Sequence, residues 1–269
     1  MTGFSAEWLA LREPHDIRAR NPAVLDAVAA SLTGNNQIRI VDLACGTGST
    51  LRALAPRLSA AQHWRLADND LSLLARASEM AKPTGVTINA VPIDLNRDLE
   101  AALDGPVDLV TTSALLDLVS ETWLDRLVVE TLARSIPLYA ALSYDGRVEM
   151  SASHPLDTAM IAAVNAHQRR DKGFGPALGP SAASTAIARF ESLGCGVVHG
   201  PADWVAGRAD SKFQMEIFSG WAAAVRETGD VPLAGVVDWL TFRREHAAAA
   251  SSSLRVGHVD FFARPIGMR

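Results

Sequence analysis

Apolar and polar positions in the first half of the chain follow two alternating patterns. Five short segments predict strands, and the first of them, IRIVDL, is almost wholly apolar, as expected of a strand buried on both faces. The five cover residues 38–43, 62–68, 85–91, 106–112 and 137–143. Between them, segments such as LSLLARASEMA and ETWLDRLVVETLARS carry apolar side chains at helical spacing. Strands that alternate with helices predict an α/β fold with a doubly wound, mostly parallel sheet.

The pattern changes after Ser143. The segment SYDGRVEM places Asp145 and Gly146 between extended residues, which predicts a hairpin turn. A helix in HPLDTAMIAAVNAHQRR, a glycine- and proline-rich loop in DKGFGPALGPSA and a helix in STAIARFESLG follow. The remaining segments predict a strand, two helices and a last strand, LRVGHVDFFARP.

Composition narrows the classes of partner. A formal net charge of −5 and an isoelectric point near 5.8 disfavour a phosphate backbone as the main partner. Two cysteines, Cys45 and Cys195, are too few for a disulfide framework and favour the reducing cytoplasm. The first residues lack a secretory pattern, no apolar run approaches the ~20 residues of a membrane span, and the histidines show no metal-ligand spacing. We therefore expect a cytoplasmic protein with no metal site and no nucleic-acid or membrane partner.

A glycine turn follows the first strand in IVDLACGTGSTLRAL. Gly46 and Gly48 permit a sharp turn and a close approach to a ligand, because neither carries a Cβ. A dinucleotide fingerprint places glycine or alanine where this chain has Leu51. The bulk of Leu51 therefore disfavours a nicotinamide cofactor, although it does not exclude one.

The segment VDLACGTG resembles the first motif of the class I S-adenosylmethionine-dependent methyltransferases. The resemblance aligns Asp42 with the acidic position of that motif, Ala44 with its small residue, and Gly46 and Gly48 with its two glycines. It extends over roughly residues 38–143, and beyond them only the order of elements matches. It implies a Rossmann-like fold with a seven-stranded sheet, S-adenosylmethionine as cofactor, and methyl transfer to an oxygen, nitrogen or carbon nucleophile of a small molecule.

Acidic residues also follow the second and third predicted strands. The resemblance implies that Asp68, with Asn69 beside it, holds the ribose, and that Asp94 and the backbone of Leu95 hold the adenine. Ser113, at the end of the fourth strand, is implied to line the methionine side. Ends of parallel strands meet at one edge of a sheet, so these residues are expected to form one crevice.

Other polar residues are candidates for the reacting end of the site. Arg12, Arg18 and Arg20 precede the core, and any of them could pair with the cofactor carboxylate; Arg20 is the one we favour. We name Asp117, His154 and His167 as candidate catalytic residues, with Asp117 facing the acceptor and either histidine available as a general base.

These assignments divide a single methyltransferase domain, residues 1–269, into four parts. Residues 1–36 form an N-terminal helical cap, 37–143 the cofactor-binding core, 144–194 an insertion on the substrate side, and 195–269 the completion of the sheet. Within the insertion, residues 154–180 are expected to recognise the acceptor. Four tryptophans, Trp123, Trp204, Trp221 and Trp239, are expected in the core.

Two classes of function besides catalysis of methyl transfer stay open. One is a non-catalytic, regulatory module that binds S-adenosylmethionine, and the other is a nicotinamide-dependent oxidoreductase. Enzymes of the superfamily that methylate amino groups of nucleic acids resemble one another in an Asn/Asp-Pro-Pro-aromatic motif after the fourth strand, where this chain has TSALLD. A nucleic-acid or protein acceptor is therefore less favoured than a small molecule.

Overall fold

Eight strands form one sheet within the residues that the computed structural model describes, 4–80 and 84–266. They are β1 (Gln37–Leu43), β2 (Ala61–Asp68), β3 (Val86–Pro92), β4 (Leu109–Ser113), β5 (Leu138–Met150), β6 (Cys195–Pro201), β7 (Trp204–Ala206) and β8 (Leu254–Pro265). The sheet has the order β3-β2-β1-β4-β5-β8-β6, and β7 pairs with β8 beside this path. The first five strands are parallel, whereas β8 is antiparallel to its three neighbours. The predicted doubly wound, mostly parallel sheet is confirmed, with one strand beyond the expected seven.

Helices cover both faces of this sheet. They are α1 (Ala6–Ala19), α2 (Pro22–Ser31), α3 (Ser49–Leu54), α4 (Leu71–Glu79), α5 (Leu99–Ala102), α6 (Glu121–Ala133), α7 (Asp157–Gln168), α8 (Ala182–Ser192), α9 (Ser211–Thr228) and α10 (Leu233–Ala248). The apolar residues of α2, α3 and α4 pack on one face, and those of α5, α6 and α8 on the other. A third apolar cluster joins α1, α7, α9 and α10 to the far ends of β5 and β8. No helix among the described residues combines the length and the apolar character needed to cross a membrane.

Strand order locates the edge where a ligand would bind. After β3 the chain crosses to the other side of β1 and adds β4 there, so the connections from β1 and β4 leave in opposite directions. Open α/β sheets bind ligands at such a switch point, outside the carboxyl ends of the strands.

The expected hairpin at Asp145 and Gly146 is wrong. β5 continues through both residues and pairs with β8 on either side of a register shift between Tyr144 and Val148. Gly146 has a φ of +87°, and the Asp145 carboxylate accepts a hydrogen bond from the backbone N–H of Arg147. The Asp-Gly pair therefore forms a bulge within a long strand, because β8 offers a continuous partner on both sides of it.

The carboxylate of Asp260 connects the N-terminal segment to the centre of the sheet. It is fully buried and accepts hydrogen bonds from the backbone N–H groups of Asn21 (2.9 Å) and Leu142 (2.7 Å). The hydroxyl of Tyr139 lies 3.3 Å away and also accepts a hydrogen bond from Arg20. This contact fixes the point at which α1 and α2 meet the sheet.

We predict that Asp260→Ala destabilises the protein by at least about 2 kcal/mol, since each of two N–H groups left without an acceptor costs about 1–3 kcal/mol. Urea denaturation measures the free energy of unfolding. Asp26→Ala is the matched control, because Asp26 forms an exposed ion pair with Arg57 and such pairs contribute less than about 1 kcal/mol. If the free energy of unfolding decreased equally in the two variants, Asp260 would not be an anchor of the N-terminal segment.

Candidate active site

Two adjoining cavities open at the carboxyl ends of the parallel strands. The first cavity has a volume of about 570 Å³ and the second about 540 Å³, both within the range of small-molecule sites. Five residues border both cavities: Phe4, Arg12, Ala114, Leu118 and Lys172. A ligand in one cavity would therefore meet a ligand in the other across a shared wall of side chains.

The glycine turn forms the floor of the first cavity. Ala44, Gly46 and the residues that follow border it, and the N–H of Gly46 donates a hydrogen bond of 2.8 Å to Asp68. Ala44 has a φ of +52° and Ala114, at the end of β4, a φ of +51°. Left-handed backbone at residues other than glycine is strained, and such strain is concentrated at ligand sites. Gly48, with a φ of +83°, is buried, begins α3 and does not line either cavity.

Asp68 and Asn69 both border the first cavity, as the resemblance implied. The Asp68 side chain accepts hydrogen bonds from the N–H groups of Gly46 and Asp70, one on each oxygen. Each carboxylate oxygen has a further lone pair, so Asp68 can also accept from a ligand. Asp70 instead caps α4, through hydrogen bonds from the N–H groups of Ser72 and Leu73.

The far side of the first cavity is apolar. Ile93, Leu95 and Phe174 border it, and the Phe174 ring packs edge-on against Trp123 at 5.5 Å. Asp94 is exposed, accepts a hydrogen bond from the N–H of Asn96, and does not line the cavity. The structure thus places Leu95, but not Asp94, at this wall.

Two predicted cofactor residues lie behind the wall rather than in it. Arg20 is 3% exposed and donates to the hydroxyls of Tyr139, Ser113 and Thr50, of which Ser113 and Thr50 border the first cavity. Asp42 is fully buried, and its Oδ1 accepts a hydrogen bond of 2.7 Å from Thr111. Burial raises the pKa of Asp42 to about 7. Both side chains can influence a ligand only through the groups that they hold.

Arg12 is the arginine that reaches the cavities. Its Nε donates to Asp16 at 2.9 Å, and Asp16 in turn accepts a hydrogen bond from the indole of Trp204. The two terminal nitrogens of Arg12 have no hydrogen-bond partner among the described residues, and the side chain borders both cavities. Arg18 is exposed and lines neither cavity. The geometry thus favours Arg12, a candidate from the sequence, over Arg20.

Asp117 borders the second cavity, beside the wall that the two cavities share. It lies in a short 3-10 turn after β4 and is 6% exposed. Its Oδ1 has no hydrogen-bond partner among residues 4–80 and 84–266. Burial raises the pKa of Asp117 to about 6, against the opposing effects of nearby backbone N–H groups and of Arg12. Such a carboxyl can exchange a proton near neutral pH.

The two histidines named from the sequence have different surroundings. His167 borders the second cavity, but its Nδ1 accepts from Lys172 (3.2 Å) and its Nε2 donates to Glu227 (3.0 Å), so both ring nitrogens are engaged. His154 lines neither cavity: its Nδ1 accepts from the N–H of Leu156, and its Nε2 faces Asp238. The structure brings His167, and not His154, to the site.

His258, in β8, borders the second cavity and was not named from the sequence. It is 4% exposed, and burial lowers its pKa to about 3. Other unpredicted parts of the wall are Trp8 of α1, Ile217 and Trp221 of α9, and Trp204. The alternation of side chains along β8 could have indicated on which face of the sheet His258 lies. No signal in the sequence showed that a cavity borders this face. Of the four tryptophans expected in the core, Trp123, Trp204 and Trp239 are buried and Trp221 packs against the third apolar cluster; Trp204 and Trp221 also border this cavity.

The loop after α7 borders both cavities. Phe174 lines the first cavity and Lys172 lines both, while Asn96 donates a hydrogen bond of 2.9 Å to the carbonyl of Gly173. Residues 154–180 were expected to recognise the acceptor, and this loop of theirs borders the first cavity as well as the second. In the part of the chain that the structure describes, no group of three or more metal-ligating side chains is present.

Comparison with known families matches residues 40–135 to the family model of the methyltransferase domain. Comparison with the curated proteins finds no relative that matches this sequence.

Several solved structures resemble the fold over almost its whole length. The cyclopropane synthase MmaA2 from Mycobacterium tuberculosis has a TM-score of 0.52 at 9% identity, over 97% of this chain and 94% of that chain. A SAM-dependent methyltransferase from Geobacter sulfurreducens, solved with S-adenosyl-L-homocysteine, has a TM-score of 0.48 at 17% identity, over 98% of this chain and 100% of that one. One from Thiobacillus denitrificans, also with S-adenosyl-L-homocysteine, has a TM-score of 0.47 at 17% identity, with the same coverage. At 9% identity, what this chain shares with MmaA2 is the fold.

The matched segment begins in β1 and ends just after α6, so it contains the glycine turn, Asp68 and the strand end at Ser113. The sheet order around it, with an antiparallel strand between β5 and β6, is that of the fold expected from the sequence. Residues 40–135 thus match the methyltransferase domain, in agreement with the resemblance to the class I S-adenosylmethionine-dependent methyltransferases that the sequence shows there.

Proposed function

We propose that the protein transfers the methyl group of S-adenosylmethionine to an oxygen, nitrogen or carbon nucleophile of a small molecule. The first cavity would hold the cofactor and the second the acceptor. The observation that carries this proposal is the shared wall, where Ala114 and Leu118 border both cavities. Asp117, whose Oδ1 has no hydrogen-bond partner among the described residues, borders the second cavity beside this wall. Buried cysteines that are not bonded to each other, Cys45 and Cys195, support a cytoplasmic location.

The residues around the first cavity fit the chemical parts of S-adenosylmethionine. Asp68 has lone pairs to accept from ribose hydroxyls, and Ile93, Leu95 and Phe174 offer apolar surface to an adenine ring. Arg12 has free N–H groups, which suit a carboxylate. The cavity thus offers an acid, an apolar slot and a cation to a ligand that carries hydroxyls, a flat base and an acidic end.

The bound cofactor supplies a methyl group already activated by a sulfonium. The protein must therefore align the acceptor at reacting distance and exclude water. Arg12, Ala114 and Leu118 set the approach between the cavities, and the loop carrying Lys172 and Phe174 covers them. Where the nucleophile is an O–H or N–H group, Asp117 accepts its proton.

The direct test is incubation with methyl-labelled S-adenosylmethionine and a fractionated small-molecule extract. We expect label to appear in a small-molecule product, and titration calorimetry to show binding of S-adenosylhomocysteine but not of NAD(H). Cofactor binding without transfer to any fraction would favour a regulatory module. Binding of NAD(H) alone would favour an oxidoreductase, and transfer to protein or nucleic acid would overturn the small-molecule assignment.

Two variants test where the parts of the cofactor lie. Asp68→Ala should weaken S-adenosylhomocysteine and methylthioadenosine alike, by about tenfold to a hundredfold, because both carry the ribose and a lost hydrogen bond to a charged group costs about 1.5–3 kcal/mol. Arg12→Ala should weaken only S-adenosylhomocysteine, by about tenfold or more, because methylthioadenosine lacks the amino-acid end. Calorimetry measures both ligands on each variant.

Arg18→Ala is the control for the arginine, because Arg18 is exposed and lies outside both cavities. Asp94→Ala should cost less than Asp68→Ala, since Asp94 lies outside the cavity wall. If Arg12→Ala weakened both ligands equally, the carboxylate would have another partner.

The raised pKa of Asp117 predicts the pH dependence of transfer to an O–H or N–H acceptor. Asp117 must be deprotonated to act as a base, so kcat/KM should fall as the pH drops below about 6. Asp117→Asn should lower kcat by about a hundredfold or more and remove this acidic limb. Asp238→Asn, outside both cavities, is the control. An unchanged acidic limb in Asp117→Asn would show that another group is the base.

A second readout of Asp117 needs no acceptor. The folded-state pKa of Asp117 lies above the ordinary value of 3.8, because ionising the buried carboxyl destabilises the fold. The free energy of unfolding therefore has its full value below pH 3.8 and decreases as the pH rises through about 6. The free energy of unfolding of Asp117→Asn relative to the wild type should therefore rise between pH 4 and 8, by up to about 3 kcal/mol. A difference that does not change with pH would show that the carboxyl titrates normally.

A further inference from the structure

His258 presents a free hydrogen-bond acceptor to the second cavity. Its Nδ1 lies 3.0 Å from the carbonyl oxygen of Val256, and because a carbonyl only accepts, Nδ1 carries the proton and donates. Burial lowers the pKa of His258 far below neutrality, so the ring is neutral and Nε2 keeps its lone pair. No hydrogen bond to Nε2 is made by any residue of the described ranges. The backbone therefore fixes the tautomer that makes Nε2 an acceptor.

Asp117 and His258 lie on the same side of the second cavity, with Tyr144 next to both. The Tyr144 and His258 rings have centroids 6.0 Å apart, and the charge of Asp117 acts on the Tyr144 hydroxyl. Arg12 lies within electrostatic reach of both Asp117 and His258. The Tyr144 hydroxyl itself bonds to Asn165 at 2.7 Å. Two side chains with an acceptor atom that has no hydrogen-bond partner among the described residues, Oδ1 of Asp117 and Nε2 of His258, thus border one cavity, and both neighbour Tyr144.

The rest of the second cavity suits a flat apolar body. Trp8, Trp204, Trp221 and Tyr144 contribute aromatic rings, and Ile217 and Val164 contribute aliphatic surface. Charges of both signs also border this cavity, from Arg12, Lys172 and Glu216, and the Arg12 cation lies over the Trp204 ring at 5.7 Å. The aromatic rings offer a surface on which an aromatic molecule can stack.

We infer that the acceptor is an aromatic small molecule whose reacting end carries two neighbouring hydrogen-bond donors, one bound by Asp117 and the other by Nε2 of His258. This inference rests on the proposed function and specifies its substrate class. Of the two donors, the one on Asp117 can lose its proton and become the nucleophile, whereas the neutral His258 positions the molecule. His258 is thus a specificity-determining residue.

The test uses three probes that differ in the number of donors: 1,2-dihydroxybenzene, phenol and methoxybenzene. Each is titrated calorimetrically into the full-length protein with and without saturating S-adenosylhomocysteine. We expect 1,2-dihydroxybenzene to bind at least fivefold more tightly than phenol, and phenol more tightly than methoxybenzene. An aliphatic analogue, cis-cyclohexane-1,2-diol, should bind more weakly than 1,2-dihydroxybenzene, because it cannot stack on the indole rings.

Two variants of His258 separate recognition from structure. His258→Asn keeps a donor for the Val256 carbonyl and removes the acceptor at the Nε2 position, so 1,2-dihydroxybenzene should bind no more tightly than phenol. His258→Gln loses that donor and keeps an acceptor near the Nε2 position, so the preference should persist. If His258 only stabilised the structure, the result would be the reverse. His258→Gln, which loses the donor to Val256, would then lose the preference for 1,2-dihydroxybenzene, and His258→Asn would keep it.

The outcomes distinguish this inference from the function on which it rests. Equal affinity for 1,2-dihydroxybenzene and phenol in the wild type, or no binding of any aromatic probe by protein that binds S-adenosylhomocysteine, would overturn the inference and leave the proposed methyl transfer intact. Failure to bind S-adenosylhomocysteine would overturn the proposed function itself.

Discussion

The position of the N-terminal segment depends on one buried carboxylate. Asp260 accepts from the N–H groups of Asn21, where α2 begins, and of Leu142, in the middle of β5. Leu142 has a φ of +54° and borders the second cavity, so this contact also holds a strained turn of backbone in place. α1 ends two residues before Asn21, and α1 carries Arg12 and Trp8 to the cavities. Without Asp260, the cap would lose its anchor to the sheet.

Electrostatics divide the site into two environments. The first cavity has Asp68, whose oxygens both accept backbone hydrogen bonds, whereas the second has Asp117, which burial leaves with an unpartnered oxygen. The two acids are of the same chemical type, and burial raises the pKa of Asp117 to about 6. A carboxylate satisfied by N–H groups suits recognition of hydroxyls, and an unsatisfied one suits proton transfer.

How far the sequence predicts the molecule depends on the range of each interaction. Strand ends such as Asp68 and Ser113 could be placed because burial pattern and chain order fix where parallel strands stop. The bulge at Gly146 could not, because whether an Asp-Gly pair turns or bulges depends on β8, which lies a hundred residues later in the chain. Arg12 and Arg20 have the same local context on or near α1, and only the fold decides that Arg20 lies under Ser113 while Arg12 borders the cavities. His258 was missed for the same reason: its neighbours come from α1, the bulged part of β5 and β7.

The two cavities differ in which parts of the chain supply their walls. The first uses chiefly the turns after β1, β2, β3 and β4, which the sheet itself holds in place, while α1 and the loop after α7 border one side of it. The second uses side chains of α1, α7 and α9, which pack in their own apolar cluster away from the two faces of the sheet. Substitutions in that cluster can reshape one cavity while the other keeps its framework. A gene duplicate of this chain could thus evolve toward new acceptors through substitutions in α7 and α9, while the strand-end turns around the first cavity stay unchanged.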